Sequence, residues 1–248
     1  MYQTVQGLVI RRTDYNETDI LLTLLTKELG RITVKARGAR RKNSPLAVSS
    51  QLLVLAEFTL FEYKEQYVVN EAHILELFQE LRTDLQLLSL ATYMAQVAEV
   101  ISQEDAPDKR LQPMVLNCVY ALARLGMPEL KVKAVFELRC ACFAGFMPDL
   151  SVCTGCGRED ALLFDISEGC LLCRDCRPSS GSGIRLPLTP GMLSAMRYLC
   201  YCDDKRIFSF SLSEEGLRDL SNVTEAYLVS QLERGFSALD FYKSLLIT

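Results

Sequence analysis

Two cysteine pairs, Cys153-x-x-Cys156 and Cys173-x-x-Cys176, carry the clearest chemistry in this chain. Sixteen residues lie between the pairs, a separation found in four-thiolate zinc ribbons. Two residues between cysteines let a tight turn aim both sulfurs at one ion, and a second such knuckle completes a tetrahedron. Gly155 and Gly157 sit in and after the first knuckle, where positive backbone dihedrals favour glycine. Four protein sulfurs close the coordination shell, so the expected ion is a structural Zn2+, one per chain, that folds a segment and does not catalyse. Cys170-x-x-Cys173 offers a second possible knuckle. The polar Arg174-Asp175 turn, entered from Leu171-Leu172, favours Cys173 with Cys176, and leaves Cys170 as a bystander or a substitute ligand.

A second cluster is cationic. No acidic residue occurs between Glu28 and Glu57, yet Arg31, Lys35, Arg37, Arg40, Arg41 and Lys42 all fall there, six positive charges in a chain whose net charge is −4. Strand alternation turns Ile32, Val34 and Ala36 inward and puts Arg31, Thr33, Lys35 and Arg37 on one outer face. Gly38-Ala39-Arg40-Arg41-Lys42-Asn43 then reads as a loop able to wrap a phosphate backbone. Cations on a strand face beside a basic loop suit sequence-independent DNA binding, in which phosphate neutralisation releases counterions. Arg12 joins this set as a flanking contact. Tyr15, Phe58, Phe61, Tyr63 and Tyr67 are the aromatic side chains available for stacking, most of them expected to pack inside.

The elements that position these groups follow from periodicity. Tyr2–Arg12, Asp19–Thr26, Arg31–Arg37, Leu52–Tyr63 and Tyr67–Leu75 read as strands, with turns at 14–16, 27–30 and 64–66. Five short antiparallel strands in this length predict a Greek-key barrel of the OB type. From about Glu80 the period becomes helical, with Leu81, Leu85, Leu88, Thr92, Ala95 and Val100 on one face and further helices over 111–125 and 129–146. Pro107, Pro113, Pro128 and Pro148 punctuate these segments. After the cysteine segment, Ser179–Gly183 reads as a flexible tether, followed by helices over 189–204, 213–233 and 237–246. The expected class is α+β: an OB-fold DNA-binding domain over 1–78, an α-helical domain over 79–149 and 179–248, and a zinc-binding segment over 150–178 interrupting it.

With 248 residues and 49% hydrophobic content, the chain can bury a core or several small ones. Neither a signal-peptide pattern nor a run of about 18 apolar residues is present, which predicts a cytoplasmic protein. Ten cysteines then read as free thiols and metal ligands, with Cys118, Cys140, Cys142, Cys200 and Cys202 as small buried hydrophobes. Catalysis finds no seat. His73, the single histidine, reads as a structural imidazole at the end of the barrel. No Gly-x-x-x-x-Gly-Lys phosphate cradle occurs, and no carboxylate cluster resembles a two-metal nuclease.

Barrel and cysteine segment together resemble the bacterial RecO family of DNA-repair recombination mediators, over nearly the whole chain. Gly7-Leu8-Val9-Ile10, Glu17-Thr18-Asp19 and Thr26-Lys27-Glu28-Leu29-Gly30 are similar to its opening strands, and Lys35-Ala36-Arg37-Gly38-Ala39-Arg40-Arg41 to its basic motif. Phe136-Glu137-Leu138-Arg139, then Gly145-Phe146-Met147-Pro148-Asp149-Leu150 into Cys153-Thr154-Gly155-Cys156-Gly157, resembles its approach to the knuckle; Leu239-Asp240-Phe241 resembles its terminal motif. One departure is Cys170 where the family commonly has the second glycine of a pair. The resemblance implies a non-enzymatic, nucleoid-associated protein that binds single- and double-stranded DNA, anneals complementary strands and acts with RecR. It further implies help in loading RecA recombinase onto strands coated by single-stranded-DNA-binding protein, and a helical-domain site for that protein's acidic C-terminal tail. Lys133 and Arg139, beside Val132, Val135, Phe136 and Phe143, are the expected tail contacts. The alternative is a zinc-ribbon transcription regulator or a non-catalytic subunit of a nucleic-acid enzyme, which binding to one specific duplex sequence would reveal.

Overall fold

Alternating burial writes a barrel into the N-terminal part of the chain. In the computed structural model, which describes residues 1–64, 66–104, 106–176 and 183–246, five strands close on themselves in the order β1-β2-β3-β5-β4. They are β1 (Tyr2–Asp14), β2 (Ile20–Thr26), β3 (Arg31–Ala36), β4 (Leu55–Tyr63) and β5 (Gln66–Glu76). Neighbours are antiparallel except β3 and β5, which run parallel and pair Val34 with Tyr67 and Lys35 with Val68. This is the mixed α+β plan with an OB-type barrel that the sequence predicts. Every second residue of β3 (Ile32, Val34, Ala36) joins a core with Val9, Leu22, Leu24, Phe58, Leu60 and Val69. The β3–β4 connection is pinned as well: Ala39 and Leu46 enter the same core. The basic loop is therefore a chain of anchored turns, not a free arm.

Two units divide the chain, residues 1–126 with 236–248, and residues 127–235. The first holds the barrel, α1 (Gln79–Thr83), α2 (Leu85–Ile101), α3 (Leu111–Ala123) and α7 (Ser237–Leu245). The helical face expected over 81–100 is broken at Asp84. Its carboxylate accepts from the Gln86 (2.8 Å) and Leu87 (3.0 Å) N–H groups and starts α2 afresh. Leu85 is consequently exposed, and Leu90, Met94 and Val97 make the buried face. Pro113 does not break α3. It occupies the first turn, where a backbone N–H has no helical partner to lose. Gly30, at φ +69°, lies where an added Cβ would fall 2.4 Å from the Ala106 carbonyl oxygen, so the β2–β3 turn requires glycine twice over.

The second unit packs α4 (Glu129–Phe143), α5 (Pro190–Tyr201) and α6 (Glu214–Gln231) with a small sheet. That sheet orders β6 (Asp149–Cys153), β8 (Cys170–Leu172), β7 (Leu163–Asp165) and β9 (Arg185–Pro187). Helix starts are capped by Thr189, with Pro190 at the first position, and by Ser213. Tyr227 on α6 fixes the sheet to the helices: its ring meets Phe164 edge-on at 5.2 Å and its hydroxyl donates to the Phe146 carbonyl. The tether expected over 179–183 lies, Gly183 apart, outside the described residues. No described helix is long and apolar enough to cross a membrane.

Helix α4 is enclosed on all sides, with every residue from Val132 to Ala141 buried. Its charges are therefore core charges. Lys133, 2% exposed, contacts Glu137 and Glu225 at 2.8 Å each and donates to the Ser221 hydroxyl, while Thr224 donates to Glu137 at 2.8 Å. Burial pushes the Glu137 carboxyl up, and the Lys133 charge opposes that shift. Removing the ammonium would strand a buried carboxylate. Lys133→Ala should therefore lower unfolding stability by about 3 kcal/mol, whereas Lys133→Met with Glu137→Leu should recover most of it; urea denaturation of both variants checks this.

Candidate nucleic-acid interface and metal centre

The β1–β2 turn organises the basic end of the barrel. The Asn16 side chain accepts from the Thr18 and Asp19 N–H groups, closing an Asx turn that points the Asp19 carboxylate toward β3. There Asp19 accepts from the Gly38 N–H (2.8 Å), Asn16 and Thr18, and pairs with Lys35 at 3.1 Å. The Gly38 N–H and then Lys35 hold this carboxyl well below the usual range. Lys35 also lies 4.5 Å from the centre of the exposed Tyr15 ring. Arg40 donates to the Asn16 carbonyl at 2.8 Å and faces Asp14 at 3.4 Å, and Asp14 also meets Arg12 at 3.7 Å.

The cation cluster is thus less naked than the sequence suggests. Carboxylates distant along the chain stand opposite Lys35 and Arg40, and Asp14, two residues on, stands beside Arg12. Arg31 turns away from the cluster and donates to the Glu99 carbonyl at the end of α2 (3.1 Å), a structural contact. Arg37, Arg41 and Lys42 are exposed and have no ion pair among the described residues. Asp14, Asn16, Asp19 and Glu99 are the positioning groups that sequence reasoning missed. The Asn16-Glu17-Thr18-Asp19 run, rich in turn-forming acceptors, was the available signal.

Aromatic side chains divide between inside and outside. Phe58 is fully buried and Tyr67 packs against the barrel core, whereas Tyr15, Phe61 and Tyr63 are exposed. His73 is also on the surface, 3.4 Å from Glu71 on the same strand. Lys133 and Arg139 present no face to a tail peptide. Lys133 is buried in the network above. Arg139 caps the end of α5 by donating to the Leu199 (3.2 Å) and Cys202 (3.4 Å) carbonyls and to Asp204, with its guanidinium over Phe143. The side chains expected as tail contacts are instead engaged in buried pairing.

In the second unit the sulfurs of Cys153, Cys156, Cys173 and Cys176 all lie within 4.8 Å of one another, close enough to bind a metal ion. A tetrahedral ion with bonds of about 2.3 Å to sulfur needs sulfurs about 3.8 Å apart, and Cys156 and Cys173 stand 3.7 Å apart. The knuckles are built for this approach. Gly157 takes φ +76°, as expected. Gly155 does not have positive φ; its role is clearance, because a Cβ there would fall 2.9 Å from the Cys176 sulfur. Backbone N–H groups of Cys173 and Cys176 donate to the sulfurs of Cys153 and Cys173. Arg158, absent from the sequence reading, donates to the Cys173 sulfur at 2.9 Å and pairs with Asp175. That hydrogen bond draws the Cys173 thiol down to about 6. The donor set fits a thiolate-preferring tetrahedral ion. Cys170 stands outside it and accepts from the Thr154 hydroxyl at 3.5 Å. All ten cysteines are free thiols, and those of Cys142 and Cys200 lie 4.0 Å apart between α4 and α5.

Residues 1–78 match the family described as "Recombination protein O N terminal", and residues 82–240 that described as "Recombination protein O C terminal". Among curated proteins, the DNA repair protein RecO of Acetivibrio thermocellus is 32% identical over 246 residues, covering 98% of this chain and 97% of the relative. RecO of Alkaliphilus metalliredigens is 28% identical over 97% of this chain and 98% of the relative. RecO of Bacillus subtilis is 27% identical over 92% and 88%. Barrel, helices and four-sulfur cluster thus coincide with a match spanning nearly every residue, and the chain belongs to the RecO family of DNA repair proteins.

Proposed function

We propose that this chain is a non-catalytic mediator of recombinational repair that binds single- and double-stranded DNA through the basic end of its barrel. The observation that carries this reading is the set Arg37, Arg41 and Lys42, exposed and without intramolecular ion pairs among the described residues. Lys35, Arg40 and Arg12, held by Asp19 and Asp14, extend the positive edge with side chains already oriented. Such an edge neutralises two phosphate backbones at once and lowers their repulsion. Annealing of complementary strands would follow without consumption of nucleotide. Family membership supports the remaining roles: action with RecR, reception of the tail of single-stranded-DNA-binding protein on residues other than Lys133 and Arg139, and assistance in loading RecA in the nucleoid.

The proposed metal is one structural zinc per chain on Cys153, Cys156, Cys173 and Cys176. When bound it supplies a closed tetrahedral cross-link. The chain's own residues do the rest: Gly155 admits the Cys176 sulfur, and Arg158 with the knuckle N–H groups stabilises thiolate charge.

Purified protein should carry about one zinc per chain, measured by atomic emission. Cys153→Ser or Cys176→Ser should lose the metal and open the 150–176 segment to limited proteolysis, because binding is part of that segment's folding energy. Cys170→Ser should retain it. Zinc lost on removal of Cys170 but kept on removal of Cys176 would reassign the ligands.

For DNA, Arg41→Gln with Lys42→Gln should reduce the slope of log affinity against log salt by roughly two and weaken all sequences alike. The titration uses anisotropy at several salt concentrations. An unchanged slope in the folded variant would move the DNA site elsewhere.

A further inference from the structure

Strand register places one outward row of side chains across four of the five barrel strands. Tyr2 on β1 pairs with Phe61 on β4, Phe61 with Val68 on β5, and Val68 with Lys35 on β3. At the spacing of neighbouring strands this row spans about 14 Å. It is aromatic at one end and cationic at the other. Tyr2 is 61% exposed and Phe61 37%, their ring centres 5.1 Å apart. Tyr63, 60% exposed, stands one outward position further along β4, with the Lys64 ammonium 5.3 Å from its ring centre. At the far end Lys35 carries Tyr15 against its ammonium.

Exposed rings in a row need a reason, since packing inside the barrel would bury them. The next outward row is Thr4, Thr59 and Glu71, and the one after it Gln6, Glu57 and His73. The barrel surface therefore turns polar away from the rings, with one carboxylate in each row, Glu71 and then Glu57, and no lysine or arginine in either, which disfavours a phosphate backbone there. An occupant with flat apolar faces and regularly spaced negative charge fits the row and is confined to it.

Resting on the DNA-binding reading above, we infer that the Tyr2–Phe61–Val68–Lys35 row, with Tyr63, is a stacking platform for unpaired bases of single-stranded nucleic acid. The backbone of that strand runs onto Lys35 and the basic loop. Bases in a duplex are already stacked on one another and offer no free face, whereas an unpaired base of any identity can stack on a ring. The platform thus gives the barrel a preference for single strands that the cations alone do not provide.

The chain contains no tryptophan, so Phe61→Trp creates a single reporter at the centre of the row while keeping an aromatic surface. Its emission should be quenched by an oligothymidylate and left unchanged by a duplex of equal length. Phe61→Ala with Tyr63→Ala should weaken oligothymidylate binding about tenfold or more, change duplex binding by less than about twofold, and leave the salt slope unaltered. The inference is overturned if the folded double variant binds both forms as wild type does, if both weaken equally, or if the reporter responds only to a partner protein. DNA binding that survives loss of the rings but fails on loss of Arg41 and Lys42 would leave the proposed function standing and remove the platform alone. Wild-type protein that binds neither form would remove both.

Discussion

Closure of the barrel is the constraint on which the first unit depends, and it rests on a short parallel seam. Val34 pairs with Tyr67 and Lys35 with Val68. Because side chains alternate across a strand, this register sends Val34 and Tyr67 toward the core and leaves Lys35 and Val68 outside. A slip by one residue would bury the ammonium and expose the valine. The same seam forces the β3–β4 connection to leave the barrel end and return to β4. Ala39 and Leu46 secure that excursion to the core and hold Arg37, Arg41 and Lys42 outward at its edge. Apolar contacts that close the barrel thus also place its cations.

Much of this was legible from pattern. The alternation of β3 and the spacing of the cysteine pairs are local properties, and local properties can be read along a chain. The charge partners were not. A window free of acidic residues from Leu29 to Ala56 suggested uncompensated cations, yet Asp14 at the end of β1 meets Arg40, and Asp19 at the end of the following turn meets Lys35. Pairing across strands brings together residues that no sequence window contains. The same limit governs α4. Lys and Arg beside apolar residues look like a solvated helix edge, and only tertiary packing reveals that Glu137, Glu225 and the end of α5 enclose them.

Gly155 shows a second kind of limit. A glycine in a knuckle invites a dihedral explanation, which holds for Gly157 at φ +76°. At Gly155 the requirement is space, set by a cysteine twenty-one positions later whose sulfur approaches where a Cβ would be. Arg158 belongs to the same case. Its value to the cluster depends on the second knuckle folding back within 2.9 Å of its guanidinium. Ligand type and count come from spacing, whereas the groups that make the ligands' charge tolerable come from the fold.

Charge placement connects these observations to function. An acidic chain is repelled from nucleic acid at long range, so its affinity must come from a local surface. Here Asp14 and Asp19 offset part of the positive charge that such a surface needs. Their return is order: Asp19 fixes the Gly38 backbone and Lys35 together, so the loop's cations are presented from a defined frame. Phosphate contacts on such a frame, as proposed here, would be indifferent to sequence and, by themselves, to strandedness. A protein that must distinguish a single strand from a duplex needs contacts with something the duplex hides. In this barrel, the exposed rings of Tyr2 and Phe61, with Tyr63 beside them, are groups of that kind on the β1-β4-β5-β3 row that ends at Lys35, where the Tyr15 ring also lies.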